Sequence, residues 1–365
     1  MAKFSKMVAK QGNKAKGVPI PRTAKKLRAP KVLKVATEFS GMEAPIMAIR
    51  KFDPPLKFMH VSSSEVNPHC RKLINHMFQP GVLCEDAAAR TDEESVESDV
   101  YVWGAPCKSW SSGGKQEGLA CSNGQLVTVS LKYIKHRRPR LSLMENVANM
   151  AIQKKFKPVW KGILRAFSDL GYVNAWRIVD SVDHSVAQTR RRVYLVSIRK
   201  DSVHREMTWP LPSQPVTLTE VLVQKASDLP GRLPHKTSQK KLAKLAYGDA
   251  LSKDINAVVT TLAVDIDCTE KYATYGVDVA RTLTMARGGS GGPWLSTKGR
   301  RTDIEELFSI QGFKASDYDW QAAGVTKAQM GMMLGNTMSL PVVGQVLAEA
   351  LWAAGLVASK PTFRV

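Results

Sequence analysis

The sequence predicts an α/β fold, in which helices cover a mostly parallel sheet, together with a second, smaller lobe. From Val32 onward, short apolar runs alternate with segments of helical period, which is typical of βαβ units. The alternation stops after Lys200 and does not return before about Ile304, and five prolines between 210 and 234 begin this interval. The 365 residues suffice to bury the core of one large domain, or of a large and a small one.

The predicted strands are short apolar runs at residues 32–39, 57–63, 99–103, 140–144, 172–179 and 193–198. Helical period predicts helices at 44–51, 156–167, 303–310, 326–334 and 342–358, and a further helix that has Asn67 as its N-cap and Pro68 as its first residue. The last of these is the most apolar long stretch, but Gln345 and Glu349 interrupt it. It therefore predicts an amphipathic helix and no transmembrane span.

The charge of the chain predicts a polyanionic partner. Fifty-three Lys and Arg against 32 Asp and Glu give a net charge of +21, which favours nucleic acid over an acidic membrane surface. Residues 1–30 contain seven Lys, two Arg and no acidic residue. We interpret them as a disordered arm for nucleic acid or a nuclear-import signal, which predicts a nuclear location in a eukaryote and a cytoplasmic one otherwise.

The five cysteines form no CxxC pair and no metal-ligand spacing, so neither a disulfide scaffold nor a metal site is predicted. No apolar signal segment follows Met1, which argues against secretion. Cys107 differs from the other four in its context. It follows the predicted strand 99–103 in a loop of Pro, Lys, Ser and Gly, at a sheet edge where ligands bind, and nearby Lys108 would favour a thiolate.

Glu145 ends the apolar strand at 140–144 and is therefore expected at the same sheet edge as Cys107. Desolvation there would let its carboxyl group donate as well as accept a proton. Gln188, Arg190 and Arg192 precede another strand, and alternation places the three on one face. Taken alone, they indicate either a solvated basic face or an anion site.

Further candidates follow the first strands of the sheet. Gly41 after the first strand permits a ligand to approach closely, although the segment lacks the glycines of a dinucleotide fingerprint. Glu65 ends the second strand and could accept hydrogen bonds from ribose hydroxyls, and Asp86 could meet an adenine amine.

In this order, the motifs resemble those of the cytosine-C5 DNA methyltransferases, which use S-adenosylmethionine. The resemblance extends from about Val32 to Ala354. Phe39, Ser40 and Gly41 open a segment similar to the family's cofactor loop, in a variant with Glu43 where a second Gly often stands. The other matching positions are Glu65, Asp86, Pro106 and Cys107 with Ser111, Glu145 with Asn146, Gln188, Arg190, Arg192, Arg281, Thr284 and Asn336.

The resemblance implies a Rossmann-like class I methyltransferase fold, with a mixed sheet, helices on both faces and a target-recognition lobe. We expect the tail at 1–30, the catalytic and cofactor-binding domain at 31–203, the recognition lobe at 204–280, the remainder of the catalytic domain at 281–358 and a C-terminal tail at 359–365.

The resemblance also implies roles for the matching residues. Cys107, Glu145, Arg190 and Arg192 would be catalytic: the Cys107 thiolate adds to C6 of cytosine while Glu145 binds the base, and the activated C5 takes the methyl group. S-adenosylmethionine would be bound by Phe39, Ser40, Gly41, Glu65, Asp86, Pro106 and Asn336. Ser111, Gln188, Arg281 and Thr284 would bind the substrate. The target base would be flipped out of double-stranded DNA, on a protein that we expect to be a monomer.

Two alternatives remain. Methylation of RNA uses the same chemistry, but relatives that act on transfer RNA usually carry Cys-Phe-Thr, and the nearest segment here, Asp267-Cys268-Thr269, lacks the aromatic residue. A catalytically silent homologue that only binds nucleic acid is disfavoured, because the catalytic residue types are all present.

Overall fold

The computed structural model describes residues 28–92, 95–106, 110 and 122–364. The predicted tail up to residue 27, Cys107 and Ser111 lie outside the described residues. In the part that is described, no helix is both long and apolar enough to cross a bilayer.

The large sheet is mixed, as predicted. Its strands are β1 (Leu33–Glu38), β3 (Phe58–Ser64), β4 (Val82–Cys84), β5 (Val100–Trp103), β6 (Leu141–Val147), β7 (Tyr172–Asp180) and β8 (Arg191–Arg199), and the short β2 (Phe52–Asp53) lies outside it. The strand order is β4-β3-β1-β5-β6-β8-β7. Pairing is parallel from β4 to β6, whereas β8 runs antiparallel to both of its neighbours. The carboxyl ends of β1, β3, β4, β5 and β6 therefore share one edge.

Helices cover both faces of this sheet, because its strands carry apolar side chains on both faces. Val100 and Val102 of β5 face one core, whereas Tyr101 and Trp103 face the other. The helices in this half of the chain are α1 (Ala44–Arg50), α2 (Pro68–Met77), α3 (Ser122–Arg137), α4 (Asn149–Ile152) and α5 (Lys157–Asp169). Asn67 caps α2 as predicted, since its Oδ1 accepts a hydrogen bond from the His69 amide at 2.9 Å.

The second lobe is built on a small antiparallel sheet. It contains α6 (Leu218–Val221), α7 (Thr237–Leu251), β9 (Leu262–Val264), β10 (Tyr275–Val277), α8 (Met285–Gly289), β11 (Trp294–Leu295) and β12 (Arg300–Arg301), with the strand order β10-β9-β11-β12. Alanines of α7 pack on β9. The boundary predicted at residue 280 cuts through this sheet, because β11 pairs with β9 and β12 pairs with β11, which continues the lobe to Arg301.

The chain then returns to the large domain through α9 (Ile304–Ile310), α10 (Lys327–Asn336) and α11 (Leu340–Ala353). The last helix ends earlier than predicted, and Gly355 after it has a left-handed φ of 60°. The expected tail at 359–365 instead forms β13 (Thr362–Phe363), which pairs with β2. Phe363 contacts Phe52 edge to face, so apolar burial fixes this end of the chain.

The glycine-rich segment at 287–293 begins as part of a close contact between two helices. Gly288 and Gly289 of α8 lie against α10, and a Cβ built on Gly288 would come within 1.9 Å of the Gly331 carbonyl oxygen. Glycine is required on both helices because the two backbones touch.

We predict that Gly331→Ala lowers the stability of the protein by about 1–3 kcal/mol, because the added methyl group collides with backbone. Its Cβ would lie 2.2 Å from the Gly288 oxygen. Gly162→Ala is the matched control: this site in α5 has nothing within 4 Å of the new Cβ. The control should raise stability by about 0.5–1 kcal/mol. Thermal unfolding of both variants checks this, and equal melting temperatures would contradict it.

Candidate active site

A cleft opens at the carboxyl edge of the large sheet, where β1, β5 and β6 end. It is lined by the residues that close these strands, by the loop after β1 and by the segment after α10. The loop contributes Phe39, Ser40 and Gly41, β6 contributes Glu145, and Asn336 is the last residue of α10. The structure therefore brings four predicted cofactor residues together with one predicted catalytic residue.

The loop after β1 forms a tight turn that leaves space beside its backbone. Phe39 and Gly41 have left-handed φ values of 56° and 58°. The Gly41 amide donates to Glu65 Oε2 at 2.8 Å, and the Asn67 amide donates to Glu65 Oε1 at 2.8 Å. A Cβ at Gly41 would meet nothing within 4 Å, so space for a ligand remains beside this backbone. Burial raises the pKa of the Glu65 carboxyl above its usual value.

Asp86 follows β4 and Pro106 follows β5, and the carboxyl ends of both strands lie at the same edge of the sheet. Asp86 is exposed after β4, and its Oδ1 accepts a hydrogen bond from the Ala88 amide at 2.8 Å. The chain beyond Asp86 is anchored by Arg90, whose guanidinium lies 2.7 Å from the buried Glu38 carboxylate. Pro106 is half-buried. The Asn146 side chain donates from Nδ2 to the carbonyl of the preceding residue, Ala105, at 3.0 Å.

Glu145 and Arg192 form an ion pair across the antiparallel strands β6 and β8. The distance from Arg192 Nε to Glu145 Oε1 is 3.2 Å, and both side chains are largely buried, at 12% and 11% exposure. A pair that retains some solvent contact can keep its charges and still meet a ligand. Arg192 is held in turn by a hydrogen bond of 2.9 Å from its Nη1 to the Arg191 carbonyl.

Gln188 and Arg190 lie on the same face as Arg192, as alternation predicts, because Thr189 and Arg191 between them are exposed. The Arg190 guanidinium donates to the carbonyls of Leu283 (3.0 Å), Gly335 (3.4 Å) and Thr337 (2.7 Å). Arg190 thus ties the start of β8 to the chain before α8 and to the end of α10.

Gln188 has no exposed surface, and both ends of its amide bind protein backbone. Its Oε1 accepts from the Leu283 amide at 2.7 Å, and its Nε2 donates to the Ile310 carbonyl at 3.1 Å. This side chain joins the chain before α8 to the end of α9. In this conformation both of its polar atoms are buried against protein backbone, away from the substrate contact that the motif suggests.

Arg281 and Thr284 lie at the junction of the lobe and the catalytic domain. Exposed Arg281 lines a cavity of about 200 Å³ together with Thr189, Asp265 and Arg287. Thr284 is the N-cap of α8, and its side chain accepts from the Arg287 amide at 3.4 Å. Arg281 therefore borders an open concave surface, whereas Thr284 has a helix-capping role in the structure.

Sequence reasoning missed a buried polar cluster beneath the loop after β1. The Glu43 carboxylate accepts from Thr37 Oγ1 at 2.8 Å and from Ser63 Oγ at 2.6 Å, and His60 Nε2 lies 3.5 Å from it. Burial raises the pKa of Glu43 to about 7 and lowers the pKa of His60 to about 4. The unusual Glu in the loop was visible in the sequence, but nothing indicated that Ser63 and His60 would reach it.

Comparison with known proteins agrees with this architecture. Residues 38–352 match the family described as C-5 cytosine-specific DNA methylase. The chain is 27% identical over 300 residues to Type II methyltransferase M.NgoMIV of Neisseria gonorrhoeae, covering 80% of this chain and 91% of the relative. It is 23% identical over 333 residues to Type II methyltransferase M.Bsp6I of Bacillus sp. (strain RFL6), covering 89% and 100%.

Among solved structures, the chain resembles a putative DNA modification methyltransferase encoded within a prophage of E. coli. The TM-score is 0.62 at 17% identity, and the match covers 88% of this chain and 98% of the other. This likeness supports the fold.

We predict that Arg190→Ala destabilises the protein by about 2–5 kcal/mol, because three buried carbonyls lose a charged donor. Arg191→Ala is the control, since the neighbouring side chain is exposed. It should change stability by no more than about 0.5 kcal/mol. Chemical denaturation of the two variants makes the comparison, and an Arg190 variant as stable as the control would refute the anchoring role.

The two shifted groups predict opposing effects of pH on stability. The folded state holds an extra proton on Glu43 between pH 4.5 and about 7, so this contribution to stability falls as pH rises. The unfolded state holds an extra proton on His60 between about pH 4 and 6.5, so that contribution rises with pH. The two slopes oppose each other where the windows overlap.

His60→Gln removes only the second contribution. Relative to wild type, the free energy of unfolding of this variant should therefore fall with rising pH by up to about 1.4 kcal/mol per unit across the overlap. Urea unfolding at several pH values within that window measures the difference. Parallel curves for the two proteins would argue against the shifted pKa values.

Proposed function

We propose, starting from the fact that the chain belongs to the C-5 cytosine-specific DNA methylase family, that the cleft beside Glu145 is its catalytic centre. The chain is accordingly an enzyme that transfers a methyl group from S-adenosylmethionine to C5 of cytosine in DNA. The observation that carries the proposed site is the Glu145–Arg192 pair at 3.2 Å, whose Glu145 lines the same cleft as the loop 39–41. A base-binding carboxylate and a cofactor loop at one strand edge are what the reaction needs.

The residues present fit S-adenosylmethionine. The open space beside Gly41 leaves room for a ligand, and Glu65, held by two backbone amides, stands at the end of β3 as an acceptor for ribose hydroxyls. We assign Phe39, Ser40, Gly41, Glu65, Asp86, Pro106 and Asn336 to binding it. When bound, this cofactor supplies an electrophilic methyl group.

Cytosine C5 is a weak nucleophile, and the proposed residues address this. The Cys107 thiolate would form a bond to C6, and the displaced electron pair activates C5. Glu145 would hold N3 and the exocyclic amine, and Arg192 would hold both the base O2 and the Glu145 carboxylate. After methylation, loss of the C5 proton re-forms the double bond and expels the thiolate. Arg190 stabilises this edge of the sheet, because its guanidinium donates hydrogen bonds to backbone carbonyls.

The substrate that we propose is double-stranded DNA, bound by a monomer, with the target base flipped into the cleft. C6 is inaccessible in a stacked duplex, so the base must leave the stack at a cost of a few kcal/mol, which contacts to phosphates offset. The net charge of +21 and exposed Arg281 beside the lobe cavity support binding of a polyanion. We assign the N-terminal tail to the same electrostatic role.

We propose a cytoplasmic location, because the matched Type II methyltransferases come from bacteria. These relatives give no support to the nuclear location that the basic tail suggested as one option.

The test is transfer of labelled methyl from S-adenosylmethionine to duplex DNA and, separately, to transfer RNA. We expect wild type to label DNA, and Cys107→Ser and Glu145→Gln to lose at least about 100-fold in rate, the usual scale for an essential nucleophile or acid–base group. Arg165→Ala, an exposed change on α5, is the control and should retain full activity. Labelling of transfer RNA alone would favour the RNA alternative, and full activity of Cys107→Ser would refute the covalent route.

A further inference from the structure

The strongest unexplained feature outside the proposed catalytic residues is the carboxyl group of Glu43. Its side chain is completely buried, between the loop 39–41 and the strands β1 and β3. A carboxyl group without solvent is costly unless hydrogen bonds or protonation compensate for it. Its partners therefore indicate what the group holds in place.

We propose that Glu43 is a positioning residue that fixes the loop 39–41 for binding of S-adenosylmethionine, acting through the hydroxyl groups of Thr37, Ser40 and Ser63. The proposal rests on the function proposed above, and it adds a determinant of cofactor affinity that does not itself touch the cofactor.

The hydrogen bonds form a chain from Glu43 to the loop. Thr37 and Ser63 both donate to Glu43 Oε1, at 2.8 and 2.6 Å. Ser40 Oγ in turn donates to Thr37 Oγ1 at 3.0 Å and lies 2.9 Å from Ser63 Oγ. One carboxyl oxygen thus orients two strand hydroxyls, and both of these contact the side chain of the loop serine.

The backbone of Glu43 belongs to the same turn. Its amide donates to the Ser40 carbonyl at 2.9 Å, and its φ and ψ of 58° and 44° are left-handed. That conformation favours glycine, so a glutamate there carries a conformational cost that its side-chain hydrogen bonds must offset. The hydrogen bonds that offset this cost are the ones that hold Ser40.

The surroundings of Glu43 keep it fixed. His60 Nε2 lies 3.1 Å from Thr37 Oγ1, and Tyr318 donates to the Met42 carbonyl at 3.1 Å. Glu43 Oε2 is buried and has no hydrogen-bond partner among the described residues. Only Oε1 is used, so a glutamine that presents its oxygen in the same place could do the same work.

Calorimetry of the full-length protein with S-adenosylmethionine and with its demethylated product measures the affinity for the cofactor and tests the proposal. Thr37→Val removes a hydroxyl without changing volume, and Ser63→Ala removes another. Each should weaken binding about 3–10-fold, the scale of one hydrogen bond. Glu43→Ala should weaken it at least about 10-fold, whereas Glu43→Gln should stay within about 3-fold of wild type.

Ser197→Ala is the matched control. This serine is also fully buried in the large sheet, but it donates to Asn174 on β7. The affinity of the Ser197→Ala variant for the cofactor should equal that of wild type. In steady-state kinetics, the Thr37 and Ser63 variants should raise KM for S-adenosylmethionine while kcat and KM for DNA stay within about 2-fold, because the loop acts on cofactor binding.

Wild-type affinity in Thr37→Val and Ser63→Ala would overturn the proposal, and so would equal losses in Glu43→Gln and Glu43→Ala. If Glu43→Ala does not fold, the isosteric Thr37 variant and the glutamine variant decide. Failure of the wild-type protein to bind S-adenosylmethionine would instead refute the function on which the proposal rests, so the two failures are distinguishable.

Discussion

The buried guanidinium of Arg190 is the interaction on which the site's geometry depends most. It donates to the carbonyls of Leu283, Gly335 and Thr337, which belong to segments far apart in the sequence. Two of these carbonyls flank Asn336 at the end of α10, and the third precedes α8. A charged donor shared by three buried acceptors fixes these segments relative to β8, because each carbonyl would otherwise be buried without a partner.

This anchor works together with the glycine contact between α8 and α10. Close approach of the two helices is possible only because Gly288, Gly331 and Gly335 present backbone and no side chain to each other's helix. Arg190 binds the end of the resulting helix pair, and Gln188 binds the chain that leads into it. The lobe and the cofactor side of the cleft are therefore connected by rigid packing, and a change in either helix contact is expected to reach Asn336.

Much of this architecture was predictable from the sequence, because periodicity reports burial and the order of motifs reports topology. The mixed sheet, the cap at Asn67 and the placement of Glu145 at a strand end all followed from local pattern. The end of the lobe did not, since the two-residue strands β11 and β12 are defined by pairing, of β11 with β9 and of β12 with β11. The strand β13 and the buried role of Gln188 were missed for the same reason: both depend on partners distant in the chain, which no local pattern reports.

Three buried carboxyl groups at the strand edge show how position in the fold decides chemistry. Glu38 is paired with Arg90 at 2.7 Å, and this largely buried pair joins β1 to the chain after β4. Glu43 has hydroxyl donors and a neutral histidine in place of a full cation, and burial raises its pKa to about 7, so that the carboxyl group loses its proton only near neutral pH. Glu145 has a cation as well, but the side chains of its pair with Arg192 are 12% and 11% exposed. Of the three, Glu145 alone combines a compensating charge with a partly exposed side chain, and this combination suits the base-binding role proposed for it.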